Sequence, residues 1–188
     1  MEVNIKFAKV RPDAIIPSKR DEDMGFDIYA CFDESYILIN PHETKLIPTG
    51  LASACDPGYG FLVFERGSTG SKGIARRCGV IDSGYRDEWF IGLTNTTEEA
   101  LYISKLTKEE LVELDVTSTK NLFGDLNTYA NQVVADYWDG AIVYPYSKAI
   151  AQALVIPVPK TNREEISYED LKNIPSERGL GALGSSGK

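Results

Sequence analysis

A single histidine, three cysteines, and basic residues outnumbered by acidic ones limit what this 188-residue chain can be. His42 sits beside Pro41 in an expected turn, so histidine-based triads and multi-histidine metal sites have no material. Any general base should be a carboxylate. Cys31, Cys55 and Cys78 are an odd number without CxxC spacing. They read as buried thiols of a reducing cytosol, not as a disulfide frame or zinc site. No apolar run approaches the length of a membrane span, and Met1-Glu2-Val3-Asn4 opens no signal peptide, so a cytoplasmic protein without membrane association is expected. With 20 basic and 28 acidic residues the net charge is −8. Stable duplex nucleic-acid binding wants a basic stripe instead. The positive charge that exists is gathered at Arg66, Lys72, Arg76, Arg77 and Arg86, which suits a small anion or, equally, a solvated charged loop.

What is present argues for one β-rich domain. Hydrophobic residues make up 43% and aromatics 10%, a globular composition. Val3 to Phe7 alternates apolar and polar as a half-buried strand does. A loop rich in proline and charge runs from Arg11 to Asp23. Met24 to Ala30 is apolar at Phe26, Ile28 and Ala30, which leaves Asp27 on the other face, as a solvent-facing strand residue or a functional one. Tyr36 to Ile39, Thr44 to Leu51 (edge or bulged at Pro48) and Phe61 to Phe64 are further strands. Short strands with Gly/Pro punctuation and no strong helix before residue 100 predict an all-β barrel or sandwich. Thr107 to Leu111 has a capping-box pattern and opens a short helix through Leu114. Polar, Asn-rich sequence and then Tyr137, Trp138, Tyr144 and Tyr146 follow, so about 96–147 reads as an excursion from the β fold. Ala149 to Val158 returns as a strand buried on both faces, with Gln152 its one polar interruption. Ser167 to Asp170 opens another short helix.

The stretch from Arg66 to Tyr85 carries the densest chemistry. Gly79-Val80-Ile81-Asp82-Ser83-Gly84-Tyr85 reads as a hairpin, its return strand running through Trp89, Phe90 and Leu93. Asp82 at the rim either caps the turn or reaches a ligand. The chain ends in Arg178-Gly179-Leu180-Gly181-Ala182-Leu183-Gly184-Ser185-Ser186-Gly187-Lys188. Its GxGxxG spacing lacks a preceding strand and a following helix, which rules out a dinucleotide fold. An arginine followed by free amides and hydroxyls has the chemistry of an anion clasp, or of a mobile tail.

In this order the pieces resemble the five motifs of the trimeric dUTP pyrophosphatases (dUTPases), of bacterial or phage type. Met24 to Ala30, Arg66 to Ile74, Gly79 to Tyr85, Ala149 to Leu154 and Arg178 to Gly187 correspond to the first through fifth. The resemblance implies a jelly-roll-like β-barrel or sandwich subunit of a homotrimer, with sites at subunit contacts. Residues 1–158 would form the β domain, with its partly helical insertion at about 96–147. Residues 159–188 would be an arm and tail closing over an active site. It further implies that Gly79, Val80 and Ile81 receive uracil and deoxyribose, with Tyr85 under the sugar. Asp82 would activate the water that attacks the α-phosphorus of dUTP, and Asp27 would hold Mg²⁺ through water. Arg66, Gly67, Ser68 and Gln152 would line the phosphates, and Arg178, Leu183, Gly184, Ser185 and Ser186 would cover the nucleotide. The sequence departs from the family at Gly67 (usually serine), Asp87 (usually glycine), Ala149 (commonly arginine) and Leu183 (usually phenylalanine). Within the same fold the alternative is a dCTP deaminase-type or bifunctional enzyme. In another class stands a regulatory protein that binds a partner through residues 96–147, where the aromatics look exposed. A folded lid or trimer-stabilising flap is the other use for that segment.

Overall fold

The computed structural model describes residues 2–77, 79–123, 128–177 and 179. In chain order its strands are β1 (Ile5–Lys9), β2 (Phe26–Ile28), β3 (Tyr36–Ile39), β4 (Thr44–Pro48), β5 (Leu51–Cys55) and β6 (Tyr59–Phe64). The four-residue helix α1 (Gly67–Gly70) precedes β7 (Ile74–Arg77), β8 (Val80–Asp82), β9 (Phe90–Asn95) and β10 (Leu101–Ser104). Helices α2 (Lys108–Phe123) and α3 (Thr128–Gly140), strands β11 (Ile142–Pro145) and β12 (Ala151–Pro157), and helix α4 (Tyr168–Asn173) complete the order. The chain divides into two units, 1–158 and 159–188. In the second, Ser167 caps α4 by accepting the Asp170 N–H at 3.1 Å.

The expected mainly β, jelly-roll-like architecture with a small helical insertion is what the first unit shows. Four small sheets form it, in the orders β1-β5, β11-β10-β3, β2-β12-β6-β8 and β4-β9-β7. Their inner faces enclose one core built on Ile28, Ile39, Ile47, Phe61, Trp89, Leu93, Leu101 and Tyr144. Phe61 and Trp89 meet edge to face at 5.0 Å between ring centroids, with Phe7 within about 6 Å of both. The predicted single strand from Thr44 to Leu51 is two strands. Gly50 turns between them at φ +66°, where a Cβ would stand 2.8 Å from Ala14 Cβ and 3.0 Å from Cys31 Sγ. Cys31 is buried and Cys55 half-buried, and burial pushes both thiols above the usual range. Cys78 lies outside the described residues.

The strand at Ala149–Val158 is less enclosed than expected. Ala151 and Ala153 are fully buried on one face, whereas Gln152, Leu154, Val155 and Ile156 are half-buried.

The excursion at 96–147 is also corrected. Strands β10 and β11 lie inside it, yet they pair with each other in parallel, and β10 pairs with β3. Among the described residues, the helical pair between them is what leaves the β fold. A parallel pair needs a crossover connection, and α2 and α3 supply it. The capping box at Thr107 is present: Thr107 N–H donates to Glu110 Oε2 (2.7 Å) and Glu110 N–H to Thr107 Oγ1 (3.2 Å). The helix it opens runs on to Phe123 rather than stopping at Leu114. A second small core of Ala100, Tyr102, Leu111, Trp138 and Ala141 holds the helices to the sheet. Tyr102 stacks on Trp138 at 4.9 Å, and Trp138 Nε1 donates to Asp115 Oδ2 at 3.0 Å. The aromatics expected on the surface are therefore mostly interior: Trp138 and Tyr144 are buried, Tyr146 half-buried, and Tyr137 alone exposed.

Candidate active site

The sheet β2-β12-β6-β8 positions the expected site residues, and it divides them between two clefts. Asp27 on β2 pairs in register with Gln152 on β12, which faces Phe64 at the end of β6. Two residues beyond Phe64, the chain turns into α1 at Arg66. Arg66 N–H donates to Thr69 Oγ1 (3.0 Å) and Thr69 Oγ1 donates back to Arg66 O (2.9 Å), which fixes the turn. The Arg66 guanidinium then meets Asp27 as a fork, Nε on Oδ1 at 2.9 Å and Nη2 on Oδ2 at 3.2 Å. Gln152 Nε2 donates to Glu65 O at 2.8 Å, which leaves its carbonyl oxygen beside Gly25. Asp27, Arg66, Gly67, Ser68 and Gln152 line one cleft of about 830 Å³, whose far wall is the segment from Ser18 to Gly25.

The third motif sits elsewhere on the sheet. β8 pairs with β6, Asp82 opposite Gly60 and Val80 opposite Leu62. The predicted hairpin is half right. Tyr85 N–H donates to Asp82 O at 3.1 Å, so the Ser83-Gly84 turn exists. Its return strand does not pair with β8, because β9 runs between β4 and β7 in another sheet. Consequently the outer edge of β8 carries no strand among the described residues, and its backbone donors and acceptors face outward. Gly79 is required here: a Cβ would lie 2.9 Å from Val63 O, the carbonyl of the neighbouring strand. Tyr85 Oη donates to Glu88 O at 2.9 Å, which locks the ring as a wall. Gly79, Val80, Ile81, Asp82 and Tyr85 line a cavity of about 220 Å³ with Val63, Phe90 and Ile91. Asp82 and Val80 are exposed at its mouth.

Strand geometry separates the two clefts. Asp82 and Asp27 are three strand spacings apart across the sheet and four residues apart along β6, roughly 20 Å at about 4.8 Å per strand and 3.3 Å per residue. Of the expected residues, Arg178, Leu183, Gly184, Ser185 and Ser186 lie outside the described part.

Sequence reading expected a basic cluster, and the structure disperses it. Arg77 Nε donates to Thr94 Oγ1 (3.3 Å), and Arg76 lies 5.6 Å from the Phe64 ring centroid. Arg86 Nη1 caps the carbonyls of Ser83 (2.6 Å) and Tyr85 (2.9 Å). Within that group Arg66 is the cation that lines the cleft with Asp27. Arg86, expected in the anion-binding group, holds the turn after Asp82 instead, and the basic pair Lys19 and Arg20 in the cleft wall stands outside the sequence-based expectations. Their sole signal was charge in a loop. Ala149, at a position where the family commonly has arginine, is buried, and its carbonyl accepts from Tyr144 Oη (2.7 Å) and Arg66 Nη1 (3.4 Å). At Gly67 a Cβ would meet nothing within 4 Å, so its departure from serine is not steric.

The Asp27 carboxylate, about a third exposed, fits Mg²⁺ held through water, since that ion keeps several waters and takes phosphate oxygens readily. It does not fit a dedicated protein cage: no cluster of three or more His, Cys, Asp or Glu side chains able to hold a metal exists among the described residues. Nor is any helix among them long and apolar enough to cross a membrane.

Residues 11–108 match the dUTPase family model, slightly over half of the chain, and the match ends at the first residue of α2. The deoxyuridine 5'-triphosphate nucleotidohydrolase of Nautilia profundicola is 29% identical, covering 99% of this chain and 100% of its own. Its counterpart from Paraburkholderia xenovorans is 30% identical over 68% of this chain and 90% of its own. Among solved structures, the dUTPase of Staphylococcus bacteriophage 80alpha with dUPNHPP shares the fold at a TM-score of 0.64 and 19% identity. That alignment covers 98% of this chain and 99% of that one. From the first motif through the third, and in its fold, this chain belongs to the dUTPase family.

Proposed function

We propose that the protein is a homotrimeric dUTP pyrophosphatase that converts dUTP to dUMP and pyrophosphate, its active sites lying at subunit contacts. The observation that carries this reading is the division of one set of motif residues between two clefts about 20 Å apart. A water oriented by Asp82 and a phosphate chain held at Arg66 must meet at one phosphorus atom. One subunit cannot bring them together, whereas a symmetric neighbour can.

The open edge of β8 suits uracil, whose edge alternates acceptors with a donor. Cytosine reverses that pattern and would leave a backbone group unpaired, at a cost of about 1–3 kcal/mol. Tyr85, fixed by Glu88 O, walls off the space that a 2′-hydroxyl would need. Asp82 takes a proton from the attacking water as its oxygen approaches the α-phosphorus, and pyrophosphate leaves. Arg66, Ser68 and Gln152 hold the phosphate oxygens in line. Asp27 would hold Mg²⁺ through its waters, and the bound ion supplies neutralisation of the developing phosphate charge. By the same motif resemblance, Arg178, Leu183, Gly184, Ser185 and Ser186 are assigned to nucleotide binding.

The test is pyrophosphate release from dUTP, dCTP, dTTP and UTP with Mg²⁺ by the wild type and Asp82→Asn. Fast release from dUTP alone is expected, with kcat lower by about 10²–10⁴-fold in the variant and the melting temperature unchanged. No release by the folded wild type would overturn the reading, and ammonia release from dCTP would replace it with the deaminase-type one. A second, regulatory reading has a narrower base, a groove of about 550 Å³ beside Leu114, Val133 and Tyr137 in the insertion. Removing 105–141 while keeping hydrolysis and losing a bound partner would support it.

A further inference from the structure

The wall of the Asp27 cleft runs from Ser18 to Gly25, and the motifs leave its part from Ser18 to Asp23 unexplained. It is a closed, stapled loop. Asp27 N–H donates to Ser18 O at 3.3 Å at its base, and Asp23 N–H donates to Arg20 O at 3.1 Å at its tip. Arg20 adds a fork on Asp23, Nε to Oδ2 and Nη2 to Oδ1, both at 2.9 Å. Gly25 lets the loop lie against Gln152, since a Cβ there would stand 3.0 Å from Gln152 Oε1.

Three cations, Lys19, Arg20 and Arg66, line this cleft together with the carboxylates Glu22, Asp23 and Asp27. Arg66 is held by Asp27 and Arg20 by Asp23. Lys19 forms no ion pair among the described residues. Its Nζ donates to Arg20 O at 3.2 Å and stands 5.8 Å from the centroid of Phe26, the residue before Asp27. A phosphate chain entering the cleft meets Arg66 with its charge already offset by Asp27 and two of its five donors engaged there. The Lys19 charge is offset by no such pair, and an ammonium turns its three donors freely toward an anion.

We propose that Lys19 is a further polyphosphate-binding residue of this cleft, the cation there whose charge no ion pair among the described residues offsets. The inference deepens the dUTP reading and rests on it for the identity of the nucleotide. The anion chemistry rests on the cleft itself.

The experiment is calorimetric titration of the wild type, Lys19→Met and Lys19→Arg with inorganic tripolyphosphate, a non-hydrolysable imido analogue of dUTP, and dUMP. Lys19→Met should bind the first two about three- to tenfold more weakly, with the gap narrowing as salt rises. Lys19→Arg should bind them within about twofold of the wild type, because the charge is kept. dUMP affinity and the melting temperature should not move, which a merely structural role would not predict. Wild-type affinity of Lys19→Met for tripolyphosphate and the analogue, an equal loss for dUMP, or no polyphosphate binding by the wild type overturns the proposal. Hydrolysis of dUTP alongside an unaffected Lys19→Met would remove Lys19 and keep the dUTP reading. Loss of tripolyphosphate binding in a protein inert toward dUTP would do the reverse.

Discussion

Arg66 grips Asp27 with two nitrogens on two oxygens, at 2.9 and 3.2 Å, across the ends of two strands of one sheet. Both side chains are about a third exposed, so the pair adds little to stability, on the order of 1 kcal/mol or less. Its value lies in aiming the fork at the cleft. Arg66→Lys keeps the charge and loses the fork. For dUTP, kcat/KM should fall about 10–100-fold, matching one or two charge-assisted hydrogen bonds. The melting temperature should shift by no more than about 3 °C. Steady-state kinetics beside a thermal melt checks both, and an unchanged kcat/KM would remove Arg66 from the phosphate contacts.

The separation of Asp82 from Asp27 makes a sharper demand. If each site takes Asp82 from one subunit and Arg66 from another, two dead variants repair each other. Asp82→Asn and Arg66→Gln, unfolded together in equal amounts and refolded, should recover about a quarter of wild-type activity, because a quarter of the subunit contacts join two intact halves. Each variant refolded alone should stay inactive. A mixture as dead as its components would mean that Asp82 and Arg66 serve the same subunit's site.

Much of this was written locally in the sequence. The Gly79-to-Tyr85 pattern marks a strand and turn, and the capping box marks the start of α2, because both signals are carried by neighbouring residues. What escaped depends on distant partners. β8 pairs back to β6 rather than forward to β9, and nothing in the Ser83-Gly84 turn encodes that choice. Leu101–Ser104 is buried on every residue, so it shows no alternation that would mark it as a strand. The threonines and serine after Asp115 disfavour helix. Leu111 and Trp138 nonetheless hold α2 and α3 to the sheet, and packing overrides propensity. In the site, Asp27, Arg66 and Gln152 were legible through motif resemblance. Lys19 was not, since its role comes from a loop whose closure at Ser18 and Asp27 is a backbone contact nine residues apart.

Glu65 gives the fold an acid-sensitive joint behind the cleft. Its carboxylate is held below its usual range chiefly by its own backbone N–H, then by the Arg76 N–H, donated to Oε1 at 3.0 Å, and by the Arg76 and Arg77 charges. A carboxyl depressed in the folded state stabilises it fully above the unfolded value, about pH 4.3, and less as pH falls through the folded value. The melting temperature should therefore decline below about pH 4.5, and Glu65→Gln should flatten that decline while lowering stability near neutrality. Thermal melts from pH 3 to 7 check the sign. A variant with the wild-type acid limb would assign the acid loss to other carboxylates.

Two buried hydroxyls on neighbouring segments should respond in opposite directions to removal. Ser53 Oγ, on β5 opposite Phe7, is enclosed and has no hydrogen-bond partner among the described residues. Thr49 Oγ1, just before Gly50, donates to Trp89 O at 2.8 Å and accepts the Leu51 N–H at 3.3 Å. An unpaired buried hydroxyl carries its desolvation cost with no return, so Ser53→Ala should stabilise the fold by about 1 kcal/mol, raising the melting temperature about 2–4 °C. Thr49→Val keeps the shape and strands the Leu51 N–H, so it should destabilise by about 1–2 kcal/mol. The Ser53 backbone carbonyl, which accepts from Arg86 Nη1 at 3.3 Å, is untouched by the first change. Denaturant unfolding of the two variants beside the wild type separates the cases. If Ser53→Ala also destabilises, the hydroxyl has a partner in solution, an enclosed water between β5 and the Phe7–Trp89 core being the chemistry that fits.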